Sequence, residues 1–155
     1  MLTLRPLCLA AILALSAAAP AIAQNDDKNS GCAFQMPKGW EHQTAKWVGG
    51  CKNSQANGLG VLRRFEDNNA VETFYGTMEN GALSLGVIDS GTGYIAGRFK
   101  EGALEHTEDR NVILDAFETA SRAAKQLGDL YGRDGQKKQA IYYREQAKVL
   151  SEQMD

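Results

Sequence analysis

A short motif, in which an apolar or aromatic residue precedes a glycine and further glycines follow a turn, recurs three times in the middle of this chain. Trp47-Val48-Gly49-Gly50-Cys51 is followed by Gly58-Leu59-Gly60-Val61-Leu62. Phe74-Tyr75-Gly76-Thr77-Met78 with Gly81 repeats it in weaker form, and so does Ile95-Ala96-Gly97-Arg98-Phe99 with Gly102. The glycines at 49, 76 and 97 lie 27 and then 21 residues apart, a period that marks an array of small supersecondary units. From Cys32 to about Glu105 glycines and short apolar stretches alternate without a long run of helical period, which predicts a β-meander. In the first unit Trp47, Gly49 and Cys51 alternate onto one face, Lys52 to Asn57 turn the chain, and Leu59 to Leu62 return. Asn57-Gly58 and Asn80-Gly81 supply the left-handed backbone that tight turns require. Trp47, Phe74, Tyr75, Tyr94 and Phe99 provide large apolar surface for stacked hairpins, and glycines at alternate strand positions let a neighbouring ring or strand come close.

The pattern resembles the MORN repeat, which runs aromatic, any residue, glycine, and then, after a turn, glycine, any residue, glycine. Trp47, Gly49, Asn53, Gly58 and Gly60 carry the match in the first unit. Tyr75, Gly76, Asn80 and Gly81 carry it in the second, and Gly97, Phe99 and Gly102 in the third. The return of the second unit falls either on Gly86 or on the pair Gly91 and Gly93. The resemblance implies a scaffold for protein contacts, and in some members for anionic lipid. The alternative for each named glycine and aromatic is maintenance of the fold.

Composition changes at Asp109. Ile113, Phe117, Ala120, Ala124, Leu127 and Tyr131 recur at steps of four and three, which predicts one helix. Gly132-Arg133-Asp134-Gly135 breaks it, and Ala140, Tyr143, Ala147, Leu150 and Met154 give the same stripe again, so two helices form an antiparallel hairpin over 109–153. Leu127-Gly128, Tyr131, Gly135, Ala140-Ile141, Tyr143 and Ala147 resemble a single tetratricopeptide repeat. One unit has no neighbours with which to build a concave peptide groove, so the hairpin is expected to pack on the sheet or on another subunit.

The N-terminus reads as an export signal over residues 1–23. Arg5 precedes an apolar stretch from Leu7 to Ala19, and Ala21-Ile22-Ala23 has the small-x-small form of a cleavage site. The stretch falls short of the roughly 20 residues that span a bilayer. Cleavage after Ala23 removes Cys8 and leaves a polar leader, 24–31, ahead of the first unit. Cys32 and Cys51 then remain, a pair that reads as one disulfide in an oxidising periplasmic or extracellular setting; two buried free thiols are the alternative. Losing Arg5 takes the formal net charge from −2 to −3, with signs interspersed. That balance offers no basic stripe for nucleic acid. Arg63-Arg64 and Lys137-Lys138 read as solvated spots, leaving anionic lipid a weak candidate.

No Gly-x-Ser-x-Gly, His-Glu-x-x-His or phosphate loop occurs, and His42 and His106 lack metal-ligand spacing. The acidic clusters Glu66-Asp67 and Glu105 to Asp109 fall where loops are expected. No catalytic, metal or cofactor residues are assigned. The chain is therefore expected to be an α+β protein, a MORN-like antiparallel β-meander of stacked hairpins over 32–105 with one disulfide, followed by a helical hairpin. The expected function is noncatalytic binding of another protein. An inhibitor or immunity-type protein that caps a partner enzyme or toxin, and an envelope homo-oligomer joined through helix residues such as Tyr142, are the alternatives.

Overall fold

The computed structural model describes residues 31–155. The export signal expected over 1–23 and all but the last residue of the leader expected over 24–31 lie outside the described residues. Six strands follow one another as β1 (Thr44–Lys52), β2 (Gln55–Glu66), β3 (Asn69–Glu79), β4 (Ala82–Asp89), β5 (Tyr94–Lys100) and β6 (Ala103–Leu104). Each pairs antiparallel with the next, so spatial order equals chain order and the sheet is a plain meander. Two helices, α1 (Arg110–Arg133) and α2 (Lys137–Ser151), complete the α+β architecture, and a short 3-10 turn closes the chain. No helix among the described residues is long and apolar enough to cross a membrane.

Four of the hairpin connections are two-residue turns with both residues at positive φ: Asn53-Ser54, Asp67-Asn68, Asn80-Gly81 and Glu101-Gly102. That geometry matches the right-handed twist of the flanking strands. The first connection is thus shorter than the Lys52 to Asn57 turn that the sequence suggests. Asn57-Gly58 lies inside β2, where Gly58 takes φ +83° opposite an irregularity between Gly49 and Cys51 of β1. Gly58 adopts the left-handed backbone that Asn57-Gly58 predicts, but at a bulge rather than in the turn.

The glycines of the repeat form a ladder across the sheet, with Gly49, Gly60, Gly76, Gly86 and Gly97 opposite one another on β1 to β5. Gly86 fills the position left open in the second unit, while Gly91 and Gly93 belong to the β4–β5 turn. The ladder exists because two rings lie flat on it. A Cβ on Gly49 or Gly60 would stand 2.5 Å from the Trp47 indole, and one on Gly76 would stand 2.5 Å from the Phe74 ring.

Alternation gives the sheet two buried faces. Trp47, Leu62, Phe74 and Ile88 line one, together with Met78, Leu83 and Phe99. The segment from Cys32 to Pro37 crosses this face as an extended strap, with Cys32, Phe34 and Met36 turned inward, and turns through Lys38-Gly39 and Glu41-His42 lead from it to β1. Its backbone bonds in succession to the hairpin turns: Ala33 N–H donates to Ser54 O (2.8 Å), Gln35 N–H to Gly81 O (2.7 Å) and Lys38 N–H to Gly102 O (2.8 Å). The Cys32–Cys51 disulfide, with its Cα atoms 5.8 Å apart, fastens the strap to β1. Bonds of this kind persist in oxidising compartments.

The opposite face presents Val48, Val61, Tyr75, Val87 and Ala96 in one row across the strands. Helix α1, about 36 Å long at the usual rise per residue, runs over this row. Ile113 lies near Gly97 of β5 and Leu127 near Val48 of β1. Phe117, Ala120, Ala124 and Leu127 are buried as the spacing predicts, and Ala116 and Ala123 join them. Helix α2 returns along α1, burying Ala140, Tyr143, Ala147 and Leu150. Gly128 sets the distance between the helices, because a Cβ there would lie 3.1 Å from the Ala140 carbonyl oxygen and 2.9 Å from Arg144 Cγ. Ser121 Oγ donates across the same seam to Ala147 O at 2.7 Å. The hairpin therefore packs on the sheet, one of the two placements expected for it.

Candidate functional site

The residues singled out by the sequence have mostly structural places. Trp47, Gly49, Gly60, Tyr75, Gly76 and Gly97 build the ladder and its neighbouring rows, and Phe99 packs edge-on to Phe74 with ring centres 5.6 Å apart. Gly81 and Gly102 lie under the strap, where a Cβ would come within 3.0 Å of Ala33 O and 3.1 Å of Met36 O. Asp109 caps α1, its carboxylate accepting from Asn111 N–H at 2.9 Å. Asp67 sits in a turn, Glu66 pairs with Arg64, and His42 and His106 are exposed. Among the described residues no group of three or more His, Cys, Asp and Glu side chains is placed to hold a metal ion.

Polar chemistry gathers at two places on the helix side of the sheet. The first is sealed. Tyr75 and Tyr143 are buried between sheet and helices, with Tyr143 stacked on Tyr131 and edge-on to Tyr142. Burial pushes the Tyr143 hydroxyl up to about 12, with the Arg63 charge pulling the other way. It drives Tyr75 well above the usual tyrosine range, helped by Tyr142 and then by Tyr143 and Asp89. Arg63 Nε is buried here without a hydrogen bond, and its guanidinium stands 5.4 Å from the centre of the Phe65 ring.

These tyrosines bear on alkaline stability. Their folded-state values lie above the unfolded value of about 10, so the native state holds protons that the unfolded state releases. The contribution is complete below pH 10 and falls as pH rises from there toward 12 and beyond. We expect the urea midpoint to be level from pH 8 to 9.5 and to drop steeply above 10, with tyrosinate absorbance rising together with unfolding. Non-cooperative ionisation of all five tyrosines near 10 while the fold persists would contradict the burial described here.

The second place is open. At the corner where α1 crosses the sheet edge, a recess of about 180 Å³ lies between Val48 and Gly50 of β1 and Ala123, Leu127 and Leu130 of α1. Exposed Gln126 and Arg133 border it. Arg133 also borders a wider groove of about 580 Å³ on the outside of the helical hairpin, with Lys137, Ala140, Ile141 and Arg144. The charges there are unevenly used. Asp129 is held by Lys125 (2.9 Å) and Arg144 (3.2 Å), which keep its carboxyl below the usual carboxylate range. Among the described residues Arg133 and Lys137 form no ion pair and no side-chain hydrogen bond. Helix α2 begins without a side-chain cap or an acidic residue in its first turn. The corner therefore combines an apolar slot with two uncommitted cations.

The sequence does not single out this corner, because Arg133 falls in the helix-breaking run Gly132-Arg133-Asp134-Gly135, whereas in the structure it is the last residue of α1. The signal was present: Ala123, Gln126, Leu130 and Arg133 recur at steps of three and four, a second stripe beside the core stripe. Comparison with family models, curated proteins and solved structures returns no match.

Proposed function

We propose that the chain is a noncatalytic binding module exported by its N-terminal signal to the periplasm or the outside of the cell, where it holds another protein. The observation that carries this reading is the α1–β1 corner, a largely apolar recess beside two cations that have no ion pair among the described residues, on a scaffold buried on both faces. Interfaces draw their energy from an anchor filling such a pocket, ringed by polar contacts. The disulfide fits the exported setting, and the resemblance to MORN repeats and to one tetratricopeptide unit points to contact rather than chemistry. An inhibitor or immunity-type protein is the same reading with an enzyme or toxin as partner.

A second reading, an envelope homo-oligomer, is favoured by the outward side of α2. Ile141 is 57% exposed, Tyr142 48% and Val149 37%, a sizeable apolar strip for one helix. Both readings are tested by using the oxidised chain from Gln24 as bait on envelope and secreted extract, with light scattering of the chain alone. One stoichiometric partner with a monomeric bait is the expected result. A dimer that Tyr142→Asp returns to monomer at least tenfold more readily, with no other protein retained, would replace the first reading by the second.

A further inference from the structure

The binding reading leaves the partner's chemistry open, and the corner narrows it. Its recess of about 180 Å³ exceeds the roughly 150 Å³ that suffices for a benzene ring in an apolar cavity. Val48, Ala123, Leu127 and Leu130 side chains and the bare backbone of Gly49, Gly50 and Gly60 form most of its wall, with Gln126 and Arg133 as its polar members, so a ring or branched aliphatic group meets mainly apolar surface. Two cations stand beside it. Arg64 is paired with Glu66 and Glu72, Lys125 and Arg144 with Asp129, and Lys148 with Glu152. Arg133 and Lys137 stand in one groove with no ion pair among the described residues, and the acid in that groove, Asp129, is already held by Lys125 and Arg144. An acidic residue placed against them gains charge-assisted bonds without breaking any in the free protein.

We propose that this corner is an anchor site for an acidic segment of a partner protein, which inserts one aromatic or branched aliphatic side chain between Gly50 and Leu127 and lays flanking carboxylates on Arg133 and Lys137. The inference rests on the binding reading above. An acidic segment suits the corner better than a lipid surface, because the slot takes a single side chain and the two cations lie in a concave groove rather than on a flat face.

The test is titration of the isotope-labelled, oxidised chain from Gln24, followed by amide NMR. The probe is an acetylated peptide Glu-Asp-Phe-Glu-Asp, with Glu-Asp-Ala-Glu-Asp, the neutral Gln-Asn-Phe-Gln-Asn and phosphatidylglycerol vesicles alongside. Saturable shifts at Gly50, Ala123 and Leu127 are expected with the first peptide, and at least fivefold weaker binding with each of the other two. The double variant Arg133→Glu/Lys137→Glu should weaken binding at least tenfold with an unchanged melting temperature. Ala123→Leu, which fills the slot, should abolish the Gly50 shift; should that variant fail to fold, the charge variant decides alone. Equal affinity of the charge variant, no saturable shift, or binding to vesicles in place of peptide overturns the proposal. If the bait of the preceding section retains a partner equally well through the charge variant, this corner is refuted while the binding reading stands.

Discussion

Gly76→Ala is expected to destabilise this protein by about 3 kcal/mol, at the upper end of what one added methyl group costs in a packed interior. The reason is specific to its place in the ladder. A Cβ at Gly76 would stand 2.4 Å from Leu85 O, 2.5 Å from Phe74 Cζ and 2.8 Å from Gly86 Cα. Turning the Phe74 ring relieves only the second contact; the other two are backbone atoms of the adjacent strand. Gly86→Ala is equally constrained, with Tyr75 O at 2.2 Å and Gly76 Cα at 2.7 Å. Relief would require β3 and β4 to separate, which breaks ladder bonds above the Phe74 ring. Gly93→Ala is the matched control, since nothing lies within 4 Å of its added carbon. The thermal midpoint should fall by about 10 °C or more for Gly76→Ala and Gly86→Ala, and by less than about 2 °C for Gly93→Ala. Equal midpoints for the three would mean that ring-on-glycine packing does not hold the sheet together.

The same ladder explains how far the chain could be read before its structure. Regular spacing was legible. Phe117, Ala120, Ala124 and Leu127 of α1 and Ala140, Tyr143, Ala147 and Leu150 of α2 are buried as their steps of four and three require. Asn80-Gly81 was legible as a turn because its chemistry is local. Asn53-Ser54 and Asp67-Asn68 adopt the same left-handed pair without glycine, so the sequence places a turn or loop there, within Lys52 to Asn57 and at Glu66-Asp67, without fixing the two residues that make it. The strap was harder still. Nothing local in Ala33 to Lys38 specifies its path, because its partners Ser54, Gly81 and Gly102 are distant in sequence and become neighbours only once the meander has formed. The recess at Arg133 was hidden for a similar reason: it lies between β1 and α1, which are far apart in the chain.

Replacing Cys32 and Cys51 by alanine should lower stability by about 3 kcal/mol, the loop-closure value for a ring near this size; the cysteines are 19 residues apart. At the slopes usual for urea that is a midpoint lower by about 1–2 M. Where the loss appears follows from the two-faced sheet. The strap covers Trp47, Leu62 and Phe74 but makes no part of the α1–α2 core, which is built on Val61, Tyr75 and Val87. Freed at Cys32, the strap keeps its backbone bonds to Ser54, Gly81 and Gly102 and the buried Trp40 at its far end. Those contacts exchange with water and fray from the end that has lost its covalent tie. Tryptophan emission should therefore shift to the red at urea concentrations where helical circular dichroism is still native, whereas the oxidised protein should lose both signals together. If the alanine variant keeps the wild-type midpoint and a single transition, then Phe34, Met36 and Trp40 alone hold the strap and the disulfide adds nothing to it. A red shift that precedes loss of helix would instead establish the strap as a separately opening layer, held to the sheet by the Cys32–Cys51 bond.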